Sequence, residues 1–235
     1  MKRLLSAVKY DMRFQYRHGF YHVYLLFTVL YAAVIRLVPE EARLPVAAII
    51  VLSDPAVLGY FSIGALVMLE RGQNLYAGVF STPLRIDEYL VAKALSLGII
   101  STVSSLLILV LGLGRMVNPV YVAAGVFLTA MFFTLAGFAP ALQFKSLPVF
   151  LVISPLYIVV FNLPVLHYLG LVESVAFYLL PTTGALLLID GSLTGLSAGQ
   201  AAYSVIILVL WTLGAWQLAR KVLVHYIIRG GGGKG

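Results

Sequence analysis

The sequence has no cysteine in its 235 residues and little charge, with Asp, Glu, Lys and Arg making up 11%. Without cysteine the chain has neither a disulfide framework nor a thiolate metal site. It also lacks the G-x-x-x-x-G-K-[ST] loop that binds nucleotide phosphates. What remains is 61% hydrophobic with a mean hydropathy of +1.00, which excludes an ordinary soluble globule and indicates a polytopic membrane protein.

The net charge of +7 is better explained by membrane topology than by nucleic acid. The basic residues flank apolar segments and form no patch with interleaved aromatic residues. Residues 1–18 predict an amphipathic helix lying on the cytoplasmic membrane surface. One face of this helix carries Lys2, Ser6, Lys9, Arg13 and Arg17, and another carries Leu5, Val8 and Met12.

Six stretches have the roughly 20 apolar residues that a membrane-spanning helix needs. They are residues 20–38, 46–69, 94–114, 120–142, 147–166 and 201–219. A further stretch, 171–190, is long enough, but Glu173 lies near its start and Pro181-Thr182-Thr183-Gly184 interrupts its middle. Six spans put both termini on one side, together with thirteen of the 16 Lys and Arg residues. We therefore predict cytoplasmic termini, and a re-entrant or surface-lying hairpin at 171–190 on the outer face.

The predicted fold class is therefore an all-α polytopic membrane protein with a single transmembrane domain over residues 1–229. It comprises the amphipathic elbow helix, six transmembrane helices and the re-entrant hairpin before the last span. Residues 230–235 are rich in glycine and predict a flexible tail.

The segment between the second and third spans has an ordered pattern of polar and apolar residues. Glu70-Arg71 is followed by Gly72, which indicates the end of a helix. Ser81-Thr82-Pro83-Leu84 breaks one helix and starts another. Between these breaks, Leu75, Val79 and Phe80 fall on roughly one side. Residues 71–88 therefore predict a cytoplasmic coupling region that contains a short helix lying along the membrane surface.

This segment resembles the connector of the ABC-2 type transporter permeases. The resemblance rests on the Glu70-Arg71-Gly72 turn, on Ser81-Thr82-Pro83-Leu84-Arg85, and on Glu88-Tyr89-Leu90 followed by Lys93. The basic N-terminal helix, the six spans and the broken hairpin also fit that family. Within it the chain looks most like small drug-export permeases of the fluoroquinolone class.

The resemblance implies an exporter subunit in the cell membrane that moves an apolar or amphipathic solute outward. It implies that ATP and Mg²⁺ are bound by a separate ABC ATPase subunit, and that the permease pairs with a second copy or a homologous permease. The residues that the resemblance assigns to coupling with the ATPase are Glu70, Arg71, Gly72, Leu75, Val79, Phe80, Pro83, Leu84, Glu88 and Lys93.

Two acidic residues need an explanation in an apolar chain. Asp54 falls inside the second predicted span, either as a pathway residue or interhelical partner, or as a helix cap near the outer interface. Glu70 gains nothing from anionic lipid, so we expect it to pair with Arg71 or Lys93 at the cytoplasmic ends of spans two and three. We also expect Glu70→Gln to impair coupling to ATP hydrolysis more than Lys93→Gln does.

Other functions find less support in the sequence. The four histidines are scattered, and His18 and His22 are four residues apart without a carboxylate or cysteine to complete a metal site. The alternatives to a permease are a non-transporting membrane scaffold and an intramembrane enzyme that uses Asp54, Glu173 or the histidines. We therefore expect no catalytic, metal or cofactor site in this chain.

Overall fold

In a computed structural model, residues 2–73, 84–114, 118–144 and 146–230 are described. These residues form helices and no strand, which confirms the predicted all-α class for the described part of the chain. The helices are α1 (Lys2–Arg17), α2 (Phe20–Leu37), α3 (Glu40–Ser53), α4 (Gly59–Gly72), α5 (Ile86–Leu113), α6 (Pro119–Gln143), α7 (Leu147–Ile153), α8 (Pro155–Asn162), α9 (Pro164–Tyr168), α10 (Pro181–Thr194) and α11 (Ala198–Gly230). A π-helical turn, Asp54–Leu58, joins α3 to α4, and a 3₁₀ turn, Val175–Leu179, precedes α10.

Five helical runs are long and apolar enough to cross a membrane, and they match five of the six predicted spans. They are Phe20–Leu37, Glu40–Gly72, Ile86–Leu113, Pro119–Gln143 and Ala198–Ile227. The run Glu40–Gly72 includes α3, the π-turn and α4, and its 33 residues give a length of about 50 Å. Because a hydrocarbon core is about 30 Å thick, this run extends beyond it. We call the end of the bundle where α4 ends and α5 begins the connector end.

The sixth predicted span, residues 147–166, is built from the three short helices α7, α8 and α9. The breaks fall where α8 begins at Pro155 and where α9 begins at Pro164. Proline has no backbone N–H and its ring clashes with the preceding turn, which explains both interruptions. Whether this segment crosses the membrane stays a prediction.

The stretch 171–190 forms the 3₁₀ turn and most of α10, with the break at Pro181 that the sequence predicts. Ten of the 14 residues of α10 are buried, where the helix packs against α3, α6 and α11. Its surroundings therefore differ from those of a surface-lying helix. The indole N–H of Trp211 on α11 donates to the carbonyl of Leu179 at 2.8 Å and holds the 3₁₀ turn to the bundle.

Helix α6 is the centre of the bundle and packs against α4, α5, α10 and α11. In the most apolar 18-residue stretch of α6, 67% of the residues are buried, whereas the corresponding stretches of α2 and α11 are 22% and 17% buried. Close approach of α4 to α6 depends on Gly137, where an added Cβ would come within 2.8 Å of Ile63. Apolar side chains of α2 and α11, and others on α5, α7 and α8, are exposed and can contact lipid or another chain.

Candidate functional site

A buried lysine connects three helices at the connector end of the bundle. Lys93 lies in the second turn of α5 and is only 2% exposed. Its ammonium donates to Glu70 Oε1 at 2.7 Å and also to Asp11 Oδ1. Glu70 is near the end of α4 and Asp11 is on α1, so one cation joins α1, α4 and α5.

Neighbouring side chains supply donors to the other carboxylate oxygens. Tyr89 donates its hydroxyl to Glu70 Oε2, and Ser96 donates to Asp11 Oδ2. The amide of Gln15 donates to Asp11 Oδ2 at 2.8 Å and to Ser96 Oγ at 2.8 Å. We call this set the Lys93 cluster: Asp11, Gln15, Glu70, Tyr89, Lys93 and Ser96.

The Lys93 cluster places two carboxylates beside one ammonium in an enclosed space. Asp11 and Glu70 are each 3% exposed, so water does little to screen them. Every one of their four oxygens accepts a hydrogen bond, which is the arrangement that stabilises buried ionised carboxylates. Gln15 Oε1 is buried and has no hydrogen-bond partner in the described part of the chain. Removing one member of this cluster therefore leaves buried polar groups without their partners.

The sequence predicts that Glu70 pairs with Arg71 or Lys93, and the structure contains the pair with Lys93. The guanidinium of Arg71 donates through Nη1 to the carbonyl of Phe144 at 3.1 Å, at the end of α6. Glu88 accepts the backbone N–H of Arg85 at 2.9 Å and caps the start of α5.

The rest of the predicted coupling residues lie at the two edges of the connector or within it. Gly72 is the last residue of α4, as predicted, and Leu84 packs against the apolar core just before α5. Leu75, Val79, Phe80 and Pro83 fall outside the described residues. The structure therefore tests the two edges of the predicted coupling region but not its centre.

The sequence did not predict the part that α1 plays. It placed Leu5, Val8 and Met12 on the apolar face, yet Leu5 is 58% exposed. The side of α1 that packs against α5 buries Val8, Asp11, Phe14 and Gln15. Two polar residues belong to that stripe because they bind Lys93 and Ser96. One signal was available: Asp11 is the single acidic residue among residues 1–18 and lies three positions after Val8.

Asp54 lies apart from this cluster and is completely buried at the π-turn between α3 and α4. Helix continues on both sides of Asp54 from Glu40 to Gly72, so Asp54 does not lie at a free helix end, and its depth in the membrane stays a prediction. The hydroxyls of Ser104 and Ser105 on α5 lie 3.4 and 3.5 Å from its carboxyl oxygens. The alternative of an interhelical partner agrees with this placement.

The sequence profile of the fluoroquinolones export permease protein family matches residues 2–230. The chain is 30% identical over 238 residues to the fluoroquinolones export permease proteins of two Mycobacterium tuberculosis strains, CDC 1551 / Oshkosh and ATCC 25618 / H37Rv. Each alignment covers 99% of this chain and 99% of the relative. No solved structure matches the chain.

Proposed function

The chain belongs to the fluoroquinolones export permease protein family, and from this premise we propose that it is the membrane subunit of an ATP-driven drug exporter. The solute is apolar or amphipathic, and the names of the relatives point to fluoroquinolones. Because the chain lacks a phosphate-binding loop, ATP and Mg²⁺ are bound by a separate ATPase subunit. A second copy or a homologous permease completes the transmembrane path.

The observation that best supports this proposal is the ion pairing across the connector. The connector leaves α4 just after Glu70 and enters α5 shortly before Lys93, and those two side chains are 2.7 Å apart. Asp11 adds α1 to the same pairing. An ATPase that pushes on the connector would therefore move α1, α4 and α5 together. A loose joint would dissipate the same push within the connector.

The proposed topology has six spans and cytoplasmic termini in the cell membrane, so that the connector faces the ATPase. The excess of Lys and Arg on the terminal side supports it. In this topology α7, α8 and α9 together form the fifth span. The 3₁₀ turn and α10 form a re-entrant hairpin on the outer side, and the burial of α10 supports a place inside the protein.

Binding of the ATPase can be tested at the centre of the connector. Replacing Leu75, Val79 and Phe80 together with Asp should abolish co-purification with the ATPase subunit, because a charged face cannot enter an apolar groove. The matched control replaces three apolar residues of the segment before α10, Leu171, Val172 and Val175, which are exposed. Co-purification of the connector variant at the level of the control would contradict the docking assignment.

Transport is measured with the complete complex in inside-out membrane vesicles. We expect vesicles that contain the permease and its ATPase to accumulate a fluoroquinolone when ATP is added. Vesicles with an ATPase that binds but does not hydrolyse ATP should accumulate none. Equal uptake with and without hydrolysis would refute an ATP-driven exporter.

A further inference from the structure

Asp54 is a buried acidic residue that the pairing at the connector does not use. It lies near the middle of the 33-residue run Glu40–Gly72, and its exposure is 0%. The π-turn runs from Asp54 to Leu58, and α4 begins at the next residue, Gly59. Such single-turn widenings of a helix are frequent at functional sites.

No cationic side chain is paired with Asp54 in the described ranges of the chain. The ion pairs there involve Arg43, Lys93 and Arg220, each with other acids. The titratable side chains that face Asp54 are the phenols of Tyr24 and Tyr31 on α2. An ionised carboxylate in this position would therefore be buried without a counter-charge, which is strongly unfavourable.

The hydrogen-bond distances separate Asp54 from the ionised carboxylates of the Lys93 cluster. Glu70 receives the ammonium of Lys93 at 2.7 Å, within the range of charge-assisted hydrogen bonds. The two serine hydroxyls at Asp54 lie at 3.4 and 3.5 Å, well beyond the usual range for O–H···O contacts. Contacts this long do not compensate a buried negative charge, so burial favours the neutral acid over the carboxylate.

Polar side chains lead from Asp54 toward the connector end along one seam. Between α2 and α5, the hydroxyls of Thr28 and Ser104 are 2.7 Å apart, and those of Tyr24 and Ser101 are 3.2 Å apart. Next along α5 come Ser96 and Lys93, about 12 and 16 Å from Ser104 at the helical rise of 1.5 Å per residue.

The opposite direction is apolar, so the polar route is one-sided. Beyond Asp54 the seam is closed by a cluster that includes Ile35, Leu52, Ile108 and Leu109, each no more than 1% exposed. Water that reached Asp54 would therefore enter from the connector end, past Tyr24 and Ser101.

We propose that Asp54 is a proton-binding site within the membrane domain. It holds a proton in the closed packing described here and releases it when α2 separates from α5. In that step the carboxyl O–H bond breaks, the proton passes to water entering from the connector end, and the carboxylate that remains is hydrated. Closure of the seam reverses the step, so each opening and closing exchanges one proton at Asp54. The inference concerns the permease alone and stands apart from the proposal that the chain exports a drug.

Infrared spectroscopy of the purified permease in lipid nanodiscs detects this proton directly. At pH 7 the permease should show the C=O stretch of a protonated carboxylic acid. Asp54→Asn should remove this band, because the amide has no acid group. The exposed Glu173 provides the matched control, and Glu173→Gln should keep the band. Absence of an acid band, or a band that survives Asp54→Asn, would overturn the proposal.

The pH dependence of stability gives a second, independent readout. The unfolded chain has Asp54 ionised at neutral pH, whereas the folded chain holds its proton. The folded state then binds more protons, so its stability falls as pH rises, by up to about tenfold in the folding equilibrium constant per pH unit. Asp54→Asn lacks this contribution and should show a flatter pH profile. If the stability of the unmodified protein and that of Asp54→Asn change with pH to the same extent, Asp54 does not hold a proton in the folded state.

A variant that keeps the acid covers the case in which Asp54→Asn does not fold. Ser104→Ala removes one of the two hydroxyls beside the carboxyl and leaves Asp54 in place. The acid band should shift in frequency, since the C=O stretch depends on the polar groups around the carboxyl and the hydroxyl of Ser104 lies 3.4 Å from it. Ser192→Ala removes a buried hydroxyl of α10 that donates to the carbonyl of Ile189, and it should leave the band where it is. A band that Ser104→Ala does not shift would show that the protonated acid lies elsewhere.

Discussion

Replacing Lys93 with Met should destabilise the fold more than any other single change in the Lys93 cluster. Met has a similar length and fills the space of the lysine stem, so packing is retained while the ammonium is lost. Two carboxylates, on Asp11 and Glu70, then remain buried with exposures of 3% and no cation between them. The perturbation thus isolates the electrostatic contribution of one ammonium.

The magnitude follows from the number of groups left without a partner. Removing one member of a buried ion pair costs about 3–5 kcal/mol, and Lys93 serves two carboxylates. Glu70→Gln is milder because Lys93 keeps Asp11, and the new amide oxygen still accepts a hydrogen bond from Tyr89. We expect it to cost about 1.5–3 kcal/mol, as for one hydrogen bond to a charged group. This order concerns the stability of the fold, whereas the order predicted from the sequence, with Glu70 above Lys93, concerns coupling to ATP hydrolysis and stays a prediction.

The measurement is the free energy of unfolding of each purified variant, from titration with SDS followed by tryptophan fluorescence. Lys93→Met should unfold at the lowest SDS fraction, with Glu70→Gln between it and the unmodified protein. The triple variant Asp11→Asn, Glu70→Gln, Lys93→Met removes all three charges and should recover much of the loss, because neutral replacements of buried ion pairs are often tolerated. The reasoning would be refuted if Lys93→Met, Glu70→Gln and Asp11→Asn each had a free energy of unfolding within about 0.5 kcal/mol of that of the unmodified protein.

Two further predictions concern topology and packing. Since the chain has no cysteine, single cysteines can be introduced directly. Cysteines at positions 40, 118 and 195 should be labelled from outside, and a cysteine at position 145 from inside. Labelling of position 195 from inside would refute six spans. Gly64→Ala should lower stability by about 1–3 kcal/mol, because an added Cβ would come within 2.1 Å of the Phe150 ring. Gly214→Ala is its control, with no atom within 4 Å of the new Cβ, and an equal loss of stability in both would exclude close packing at Gly64 as the cause.

The sequence predicted well those features that depend on length, periodicity and local breaks. Five spans appear as continuous helices at the expected places, α4 ends at Gly72, and α10 begins at Pro181. The Glu70–Lys93 pair was one of two predicted pairings for Glu70, because a carboxylate at a membrane interface needs a cation and Arg71 and Lys93 both lie near the ends of adjacent spans.

What the sequence could not supply were contacts between distant parts of the chain. Asp11 is 82 residues from Lys93, and an acid on a basic helix is by itself compatible with an exposed position. Asp54 had two interpretations of equal standing because hydropathy does not locate a span to within a few residues. The division of 147–166 at Pro155 and Pro164 was equally open, since proline can either kink a transmembrane helix or end it.

The Lys93 cluster and Asp54 differ in their hydrogen-bonding partners, and this difference indicates which helices separate and which stay together. The Lys93 cluster joins α1, α4 and α5 through an ion pair and charge-assisted hydrogen bonds, and none of its members lies on α2. The seam between α2 and α5 instead contains neutral hydroxyl pairs such as Thr28 with Ser104. Water can replace a neutral hydroxyl partner at little net cost, whereas separation of the buried ions is expensive. A push on the connector would therefore open the α2–α5 seam first, with α1, α4 and α5 still joined. It is this opening that exposes Asp54 to water from the connector end.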